Sequence, residues 1–435
     1  MRAMNADVGI LGGGLSGLSL AALLGRDAEV LEATDTPGGL ARTFGRNGFL
    51  SDIGGHIMFS KDQEVLDLMV AALGDNVAKR RRNNKILYQG RYVKYPFENG
   101  LDALPKEDAY DCLISFLQND AKPPPHANFE EWMYFTLGRG ITDRYLLPYN
   151  RKIWKRDPKQ MGTEWVERVP RPPLEDVVKS AIGIETEGYL HQLYFHYPIH
   201  GGIESLPRAF AAQARARGHR VVTGCRVEKI RRSAGGWVVN DEREYRHLVT
   251  TMPILPFLLT LADVPGPVME AARKLEYNSL RVVMLGIDRR EGLDELTAAY
   301  VPDPALLAHR VCFNNAFSPE LAPPGCASLQ CEITTNPGDG VFELDDDTLA
   351  ARVHAELVSV GILRATDRVV EQMVQRERFA YVVYDLGYAA RVKLIADYLA
   401  SLGIHAAGRF AEYRYINMDA CIRRTLDLSR ELDRG

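Results

Sequence analysis

Apolar residues gather near the start of the chain in two short blocks, Val8-Gly9-Ile10-Leu11 and Ala28-Glu29-Val30-Leu31, with small and apolar residues from Ser16 to Leu24 between them. Short, nearly continuous apolar blocks are the pattern of strands buried on both faces, and the intervening run predicts a helix that lies close on a sheet. Helical periodicity follows at Asp62 to Leu73 and Tyr110 to Gln118, interrupted by Lys122-Pro123-Pro124-Pro125, so a mostly helical insertion is expected over 61–200. Ser205 to Arg217 reads as a helix, Arg220-Val221-Val222 with Gly236-Trp237-Val238-Val239 as a strand-turn-strand ribbon, and Leu248 to Thr251 as a strand returning to the first sheet. Over 266–399, β-rich segments such as Val282 to Gly286 alternate with helices such as Asp347 to Val358. A closing strand, turn and helix, Ile404 to Leu432, is expected to rejoin the first domain. Neither an internal repeat nor a low-complexity tract is visible.

The pattern predicts an α/β protein with a first domain made of discontinuous segments, 1–60, 201–265 and 400–435. The helical insertion and a mixed-sheet domain over 266–399 would carry the substrate. A chain of 435 residues exceeds one usual core, which fits this division. The formal net charge of -4 argues against a nucleic-acid partner, and Lys79-Arg80-Arg81-Arg82 reads as a solvated face. The 6 cysteines show no Cys-x-x-Cys pair or regular framework, which fits a reducing compartment without structural zinc or disulfides. The early first strand leaves no room for a signal peptide, and no stretch reaches the roughly 18 apolar residues of a membrane span. A cytoplasmic protein is expected.

Chemistry enters with Gly12-Gly13-Gly14-Leu15-Ser16-Gly17, which follows the first strand and opens the first helix. Glycines there allow a tight turn and close approach of backbone to a diphosphate, and Glu32 stands where an acid accepts hydrogen bonds from a ribose. This is a Rossmann-like dinucleotide fingerprint. Pro37-Gly38-Gly39-Leu40-Ala41-Arg42 extends it with further amides and a cation, which favours FAD over NAD; the bland reading is a loop with an exposed arginine. Gly54-Gly55-His56 either lays main chain and an imidazole against a flavin ring or is a structural turn with a satisfied histidine.

In the insertion, Pro148 to Trp154 and Met161 to Val169 concentrate aromatics, amide and cations. They suit a base, sugar or phosphate, or else packing with surface ion pairs. His191, His196 and His200 lack a ligand spacing, so no metal is expected. In the tail, Asp419 is a candidate N-cap for a helix from Ala420 to Leu432.

Together these segments resemble the flavin-dependent UDP-galactopyranose mutase family, within the amine-oxidase-like FAD superfamily, over nearly the whole chain. The resemblance rests on Asp52-Ile53-Gly54-Gly55-His56-Ile57-Met58-Phe59-Ser60, Tyr95-Pro96-Phe97, Tyr149-Asn150 with Trp154, Trp165 with Arg168-Val169, and Tyr413-Arg414-Tyr415-Ile416-Asn417-Met418-Asp419. It implies that Arg168 and Arg310 bind a substrate diphosphate, with further hydrogen bonds from Tyr300, Tyr381 and Tyr415. Val382 follows Tyr381 where the family usually has proline. Phe97 and Glu98 would lie near the nucleobase, Asn150 and Trp154 on the sugar side, and Asn417 at the boundary of substrate and cofactor. The FAD site would comprise Gly12, Gly14, Leu15, Ser16, Gly17, Glu32, Gly39, Leu40, Arg42, Gly54, Gly55, His56, Val227, Gly408, Arg409, Asn417 and Met418.

The resemblance further implies a nucleotide-sugar pyranose/furanose mutase serving glycan, cell-wall or natural-product biosynthesis. Reduced flavin N5 would act as nucleophile on the anomeric carbon with no net redox change, and His56 would tune the flavin by contact. No second dinucleotide fingerprint is evident, so NAD(P)H or another reductant would act at the flavin site itself or through another protein. Glu98 replaces a glutamine of eukaryotic-type members, and an ionised carboxylate favours a donor-rich base such as guanine over uracil O4. Two other readings remain: a flavin oxidase or desaturase of the amine-oxidase or protoporphyrinogen-oxidase type, and a flavin-binding protein without turnover.

Overall fold

A computed structural model describes residues 5–121, 125–166, 172–186 and 193–434. In the first sheet, Ala6–Leu11 lies between Ala28–Leu31 and Arg243–Thr250, parallel to both, and Arg220–Val222 extends the parallel set beyond Ala28–Leu31. Ala28–Leu31 is buried at every position, as a strand covered on both faces must be. The helices Leu15–Leu23, Ser205–Ala216 and Met418–Arg434 pack together beside this sheet. Small residues let the first helix approach closely: a Cβ on Gly17 would stand 2.0 Å from the Gly12 carbonyl oxygen.

The ribbon expected from Arg220–Val222 and Trp237–Val239 does not form. Arg220–Val222 sits at one edge of the sheet, while Trp237–Val239 pairs antiparallel with Ile230–Arg232 and Arg243–Thr250 at the other. A hairpin needs a tight turn, and the turn lies at Ser233–Gly236, where the Ser233 amide donates to the Gly236 carbonyl (3.0 Å). The apolar Val221 instead continues the parallel core beside Val30.

The tail rejoins this sheet: Ile404–Ala406 pairs in parallel with Arg243–Thr250. Its helix begins at Met418, earlier than expected, because the Asn417 carbonyl already accepts from the Cys421 amide (3.0 Å). Asp419 therefore lies in the first turn and is not the cap. Its carboxylate accepts from Ser60 Oγ (2.9 Å), tying the tail helix to the segment after His56.

The second sheet runs in the order Val369–Val383, Glu276–Ile287, Ala327–Thr335, Arg310–Phe313, Ala298–Tyr300, Asn84–Tyr88, Arg91–Lys94. One face is covered by Asp346–Ser359 through Leu349, Val353 and Leu357. Between residues 61 and 200, the helices Gln63–Leu73, Lys106–Leu117, Phe129–Ile141, Leu147–Trp154 and Leu174–Ala181 are joined by strands. Two of these, Asn84–Tyr88 and Arg91–Lys94, complete the second sheet; Ala78–Arg81 pairs with Tyr194–Tyr197 as a separate ribbon. Basic residues in Ala78–Arg81 obscure a period-two alternation that its burial follows.

Asp52 joins these parts. It is buried and accepts from Thr43 Oγ1 (2.7 Å), Tyr197 Oη (2.6 Å) and the Ile203 amide (3.1 Å). Burial outweighs these donors and lifts its pKa to about 6.

Gly17→Ala is expected to push the first helix off Gly12 and lower unfolding stability by about 1–3 kcal/mol, as overpacking does. The urea midpoint measures this; an unchanged midpoint would contradict the close approach.

Candidate active site

The two N-terminal glycine segments form one cradle. The Gly38 amide donates to the Gly13 carbonyl (2.7 Å), Gly14 and Gly38 form a parallel bridge, and a Cβ on Gly39 would lie 3.1 Å from Gly14 Cα. Gly12 and Gly39 have φ of 111° and 61°, backbone that other residues rarely adopt. Leu15, Ser16 and Gly17 open the Leu15–Leu23 helix, whose N-terminus has no side-chain cap and so favours an anionic group. Glu32 accepts from the Gly13 amide (2.8 Å) and from Thr34 N and Oγ1 (2.8 and 2.7 Å). Gly408 closes over Ser16, whose Oγ would be 2.6 Å from a Cβ there. A cradle with no room for side chains fits the diphosphate of FAD.

Arg42 takes another direction. Its Nε donates to the Gly39 carbonyl (2.7 Å) and its Nη2 pairs with Glu377 (2.9 Å), bracing the second glycine loop against Val369–Val383. Val227 is buried in the loop between Arg220–Val222 and Ile230–Arg232, outside the cavity wall.

Beside the cradle is a cavity of about 360 Å³. The segments beside the first sheet contribute Leu40, Gly54, Gly55, His56, Arg409, Tyr415, Asn417 and Met418. The insertion contributes Arg82, Tyr95, Glu98, Tyr145, Asn150 and Trp154, and the second sheet Tyr300, Arg310 and Tyr381. Arg168 and His191 lie outside the described residues.

Glu332 lies at the base of this wall and is fully buried. It accepts from Arg310 Nε (2.8 Å) and Nη2 (2.7 Å), the Gly55 amide (2.8 Å), Gln330 Nε2 (3.0 Å) and Tyr381 Oη (3.3 Å). Burial pushes its pKa upward, but Arg310, His309 and the Gly55 amide together outweigh burial and hold it well below the usual carboxylate range. The guanidinium is thus fixed by a two-point carboxylate grip and still reaches the cavity, with its side chain 23% exposed. Sequence reasoning missed Glu332. The signal was present: in Ser328-Leu329-Gln330-Cys331-Glu332-Ile333, alternation places Gln330 and Glu332 on one strand face, polar where a core strand should be apolar.

His56 has its pKa lowered to about 4, first by burial and then by Arg409, with Arg310 adding to the effect. Its Nδ1–H donates to the Gly54 carbonyl (2.9 Å), leaving Nε2 as an acceptor. Arg409 itself is committed to backbone, donating to the Ile416 carbonyl through Nε (2.9 Å) and Nη2 (2.8 Å), and it lies 5.0 Å from the Tyr415 ring.

Asn150 and Trp154 act as a pair, since Asn150 Nδ2 donates to the Leu146 carbonyl (2.8 Å) and its Oδ1 accepts from Trp154 Nε1 (3.0 Å). The indole meets Tyr415 edge-on at 5.5 Å. Lys152, on the same helix, donates to the Val301 and Asp303 carbonyls (2.9 and 2.7 Å) and pins that helix to the second sheet. Tyr300 stacks on Tyr95 at 4.6 Å. Phe97 lies behind the wall, fully buried and stacked on Tyr145 at 5.1 Å. Glu98 is buried, and desolvation raises its pKa to about 7.

The basic run divides. Lys79 and Arg81 are exposed as expected, whereas Arg82 turns into the cavity wall, its guanidinium 5.8 Å from the Tyr95 ring. Among the described residues no group of three or more His, Cys, Asp or Glu could hold a metal, and no helix is long and apolar enough to cross a membrane.

A family model for flavin-containing amine oxidoreductases matches residues 15–422, and the chain belongs to that family of flavoproteins. A crystal structure of reduced UDP-galactopyranose mutase superposes with a TM-score of 0.89 at 25% identity, covering 99% of this chain and 94% of that one. A protein assigned as a protoporphyrinogen oxidase from Exiguobacterium sp. 255-15 matches with a TM-score of 0.76 at 19% identity, covering 99% of both chains. Putrescine oxidase bound to putrescine matches at 0.67 and 18% identity, again over 99% of both. The last two similarities show a shared fold.

Two outcomes follow from the buried carboxyls. Glu332→Ala leaves Arg310 without its partner and is expected to cost about 3–5 kcal/mol in chemical denaturation, the scale for breaking a buried pair. Glu98 has a raised folded-state pKa, so the stability it contributes is complete below its unfolded value of 4.5 and is lost as pH rises towards about 7. The stability difference between wild type and Glu98→Gln should therefore fall by on the order of 3 kcal/mol across that window. Parallel melts from pH 4.5 to 8 measure it, and a flat difference would contradict the shift.

Proposed function

We propose that the protein is an FAD-dependent nucleotide-sugar pyranose/furanose mutase. The observation that carries this reading is the Glu332 unit, which puts a fixed guanidinium, Arg310, in the same hydrogen-bonded assembly as the Gly55 amide of the flavin-facing loop. A cation so held suits a diphosphate that must be retained beside the cofactor while its bond to the sugar breaks. Arg168 would supply a second cation to that diphosphate, and Tyr300, Tyr381 and Tyr415 would donate hydroxyl hydrogen bonds to it. The Asn150–Trp154 pair would flank the sugar. Bound FAD, in its reduced form, would supply the nucleophilic nitrogen, N5, for the anomeric carbon with no net redox change.

The residues around it hold position and charge. His56 is neutral near pH 7 and offers Nε2 as an acceptor beside the cofactor. Arg310 stays charged because its carboxylate partner is sealed from water. Activation would require NAD(P)H or another reductant, and six free cysteines fit a reducing cytoplasm.

The shared fold keeps an oxidase as the second reading. The cavity wall carries three guanidinium groups, Arg82, Arg310 and Arg409, which disfavours a protonated amine as substrate.

Anaerobic, dithionite-reduced protein incubated with a panel of NDP-hexopyranoses is expected to form the furanose isomer, detected by chromatography, while oxidised protein is inert. Oxygen uptake with an imine or new double bond in the product would establish the oxidase instead. Arg310→Ala should retain flavin absorbance while turnover falls about 100-fold or more, the scale for losing a preorganised charge-stabilising group. Loss of flavin in that variant would overturn the role given to Arg310.

A further inference from the structure

On the insertion side of the cavity, Glu98 lines the wall although only 4% of the residue is exposed. Its only hydrogen-bond donor among the described residues is its own backbone amide. A buried carboxyl without a partner is costly, and it is tolerated where a ligand brings the missing donors. Its surroundings suit a flat heterocycle. Tyr95, Tyr145, Tyr149 and Tyr300 form an aromatic wall, with Tyr145 and Tyr149 stacked at 5.5 Å. Arg82 adds donors on the same side; the Asn84 amide, oriented to satisfy both of its atoms, accepts from Arg82 Nε (2.8 Å) and Nη2 (3.1 Å).

We propose that Glu98 selects the base of the substrate nucleotide and that this base is guanine. The inference rests on the nucleotide-sugar reading and deepens it. Ionised, the form that donors from a bound base favour, Glu98 offers two parallel acceptors, and guanine presents two adjacent donors, N1–H and the N2 amino group, on one edge. Adenine and cytosine each offer one amino donor beside a ring-nitrogen acceptor. Uracil flanks its single N–H with two carbonyls, which a carboxylate repels. Guanine O6, next to N1, completes the edge as an acceptor for a donor such as Arg82.

The test is calorimetric binding of GDP, UDP, ADP and CDP to the flavin-loaded protein and to its Glu98→Gln variant. GDP is expected to bind at least about 10-fold more tightly than UDP, and Glu98→Gln to weaken GDP about 10-fold while strengthening UDP, because an amide also donates. UDP binding as tightly as GDP to the wild type overturns the base assignment and leaves the mutase reading intact. Failure of all four nucleotides to bind overturns both. An unchanged ranking in a folded Glu98→Gln removes Glu98 from the selection. Should that variant lose its flavin or its cooperative melt, Glu98→Asp replaces it: the shortened carboxylate is expected to lose most of the GDP preference, and full retention overturns the proposal.

Discussion

A carboxylate sealed from water sets the geometry of this site. Glu332 is tolerable only while Arg310, the Gly55 amide, Gln330 and Tyr381 all donate to it, because a buried charge with fewer partners carries a penalty of several kcal/mol. That requirement fixes three parts of the chain at once. Arg310 and Glu332 are direct cross-strand neighbours, Tyr381 comes from Val369–Val383, and Gly55 belongs to the loop that follows Phe49–Asp52. None can shift alone without leaving the charge exposed to an apolar interior.

A second buried carboxyl, Asp52, does related work a few residues earlier. Its donors come from Thr43, Tyr197 and Ile203, so the strand leading into Gly54 is tied both to the insertion and to the segment entering Ser205–Ala216. The link between Ser60 and Asp419 adds the tail helix. The loop carrying His56 is therefore held on both sides, and the imidazole keeps one tautomer, neutral, in a site crowded with guanidinium groups.

The scaffold is shared with oxidases as well as with a mutase, so fold alone does not choose the chemistry. The cavity itself holds the gripped Arg310, several tyrosines and, on the insertion side, an acid whose only donor among the described residues is its own amide. That set matches an anionic ligand bearing a flat, donor-rich ring better than it matches an amine.

Local patterns in the sequence determined much of this protein. The apolar blocks around Val8 and Val30, the glycines from 12 to 17 and the amphipathic runs fixed the first sheet, its cradle and most helices, since each depends on residues close in the chain. The family resemblance, rather than any local pattern, pointed to Glu98, Arg310, Asn150, Trp154 and Tyr415, and all five line the cavity. Tertiary structure alone decided the partners. Arg220–Val222 joined the parallel core instead of a hairpin, the helix start moved ahead of Asp419, and Arg42 turned to Glu377. It also turned Arg82 out of a solvated run and made Glu332 the centre of the site. The physical reason is that a charge buried in a strand gains or loses stability through groups distant in sequence, and local periodicity carries no record of them.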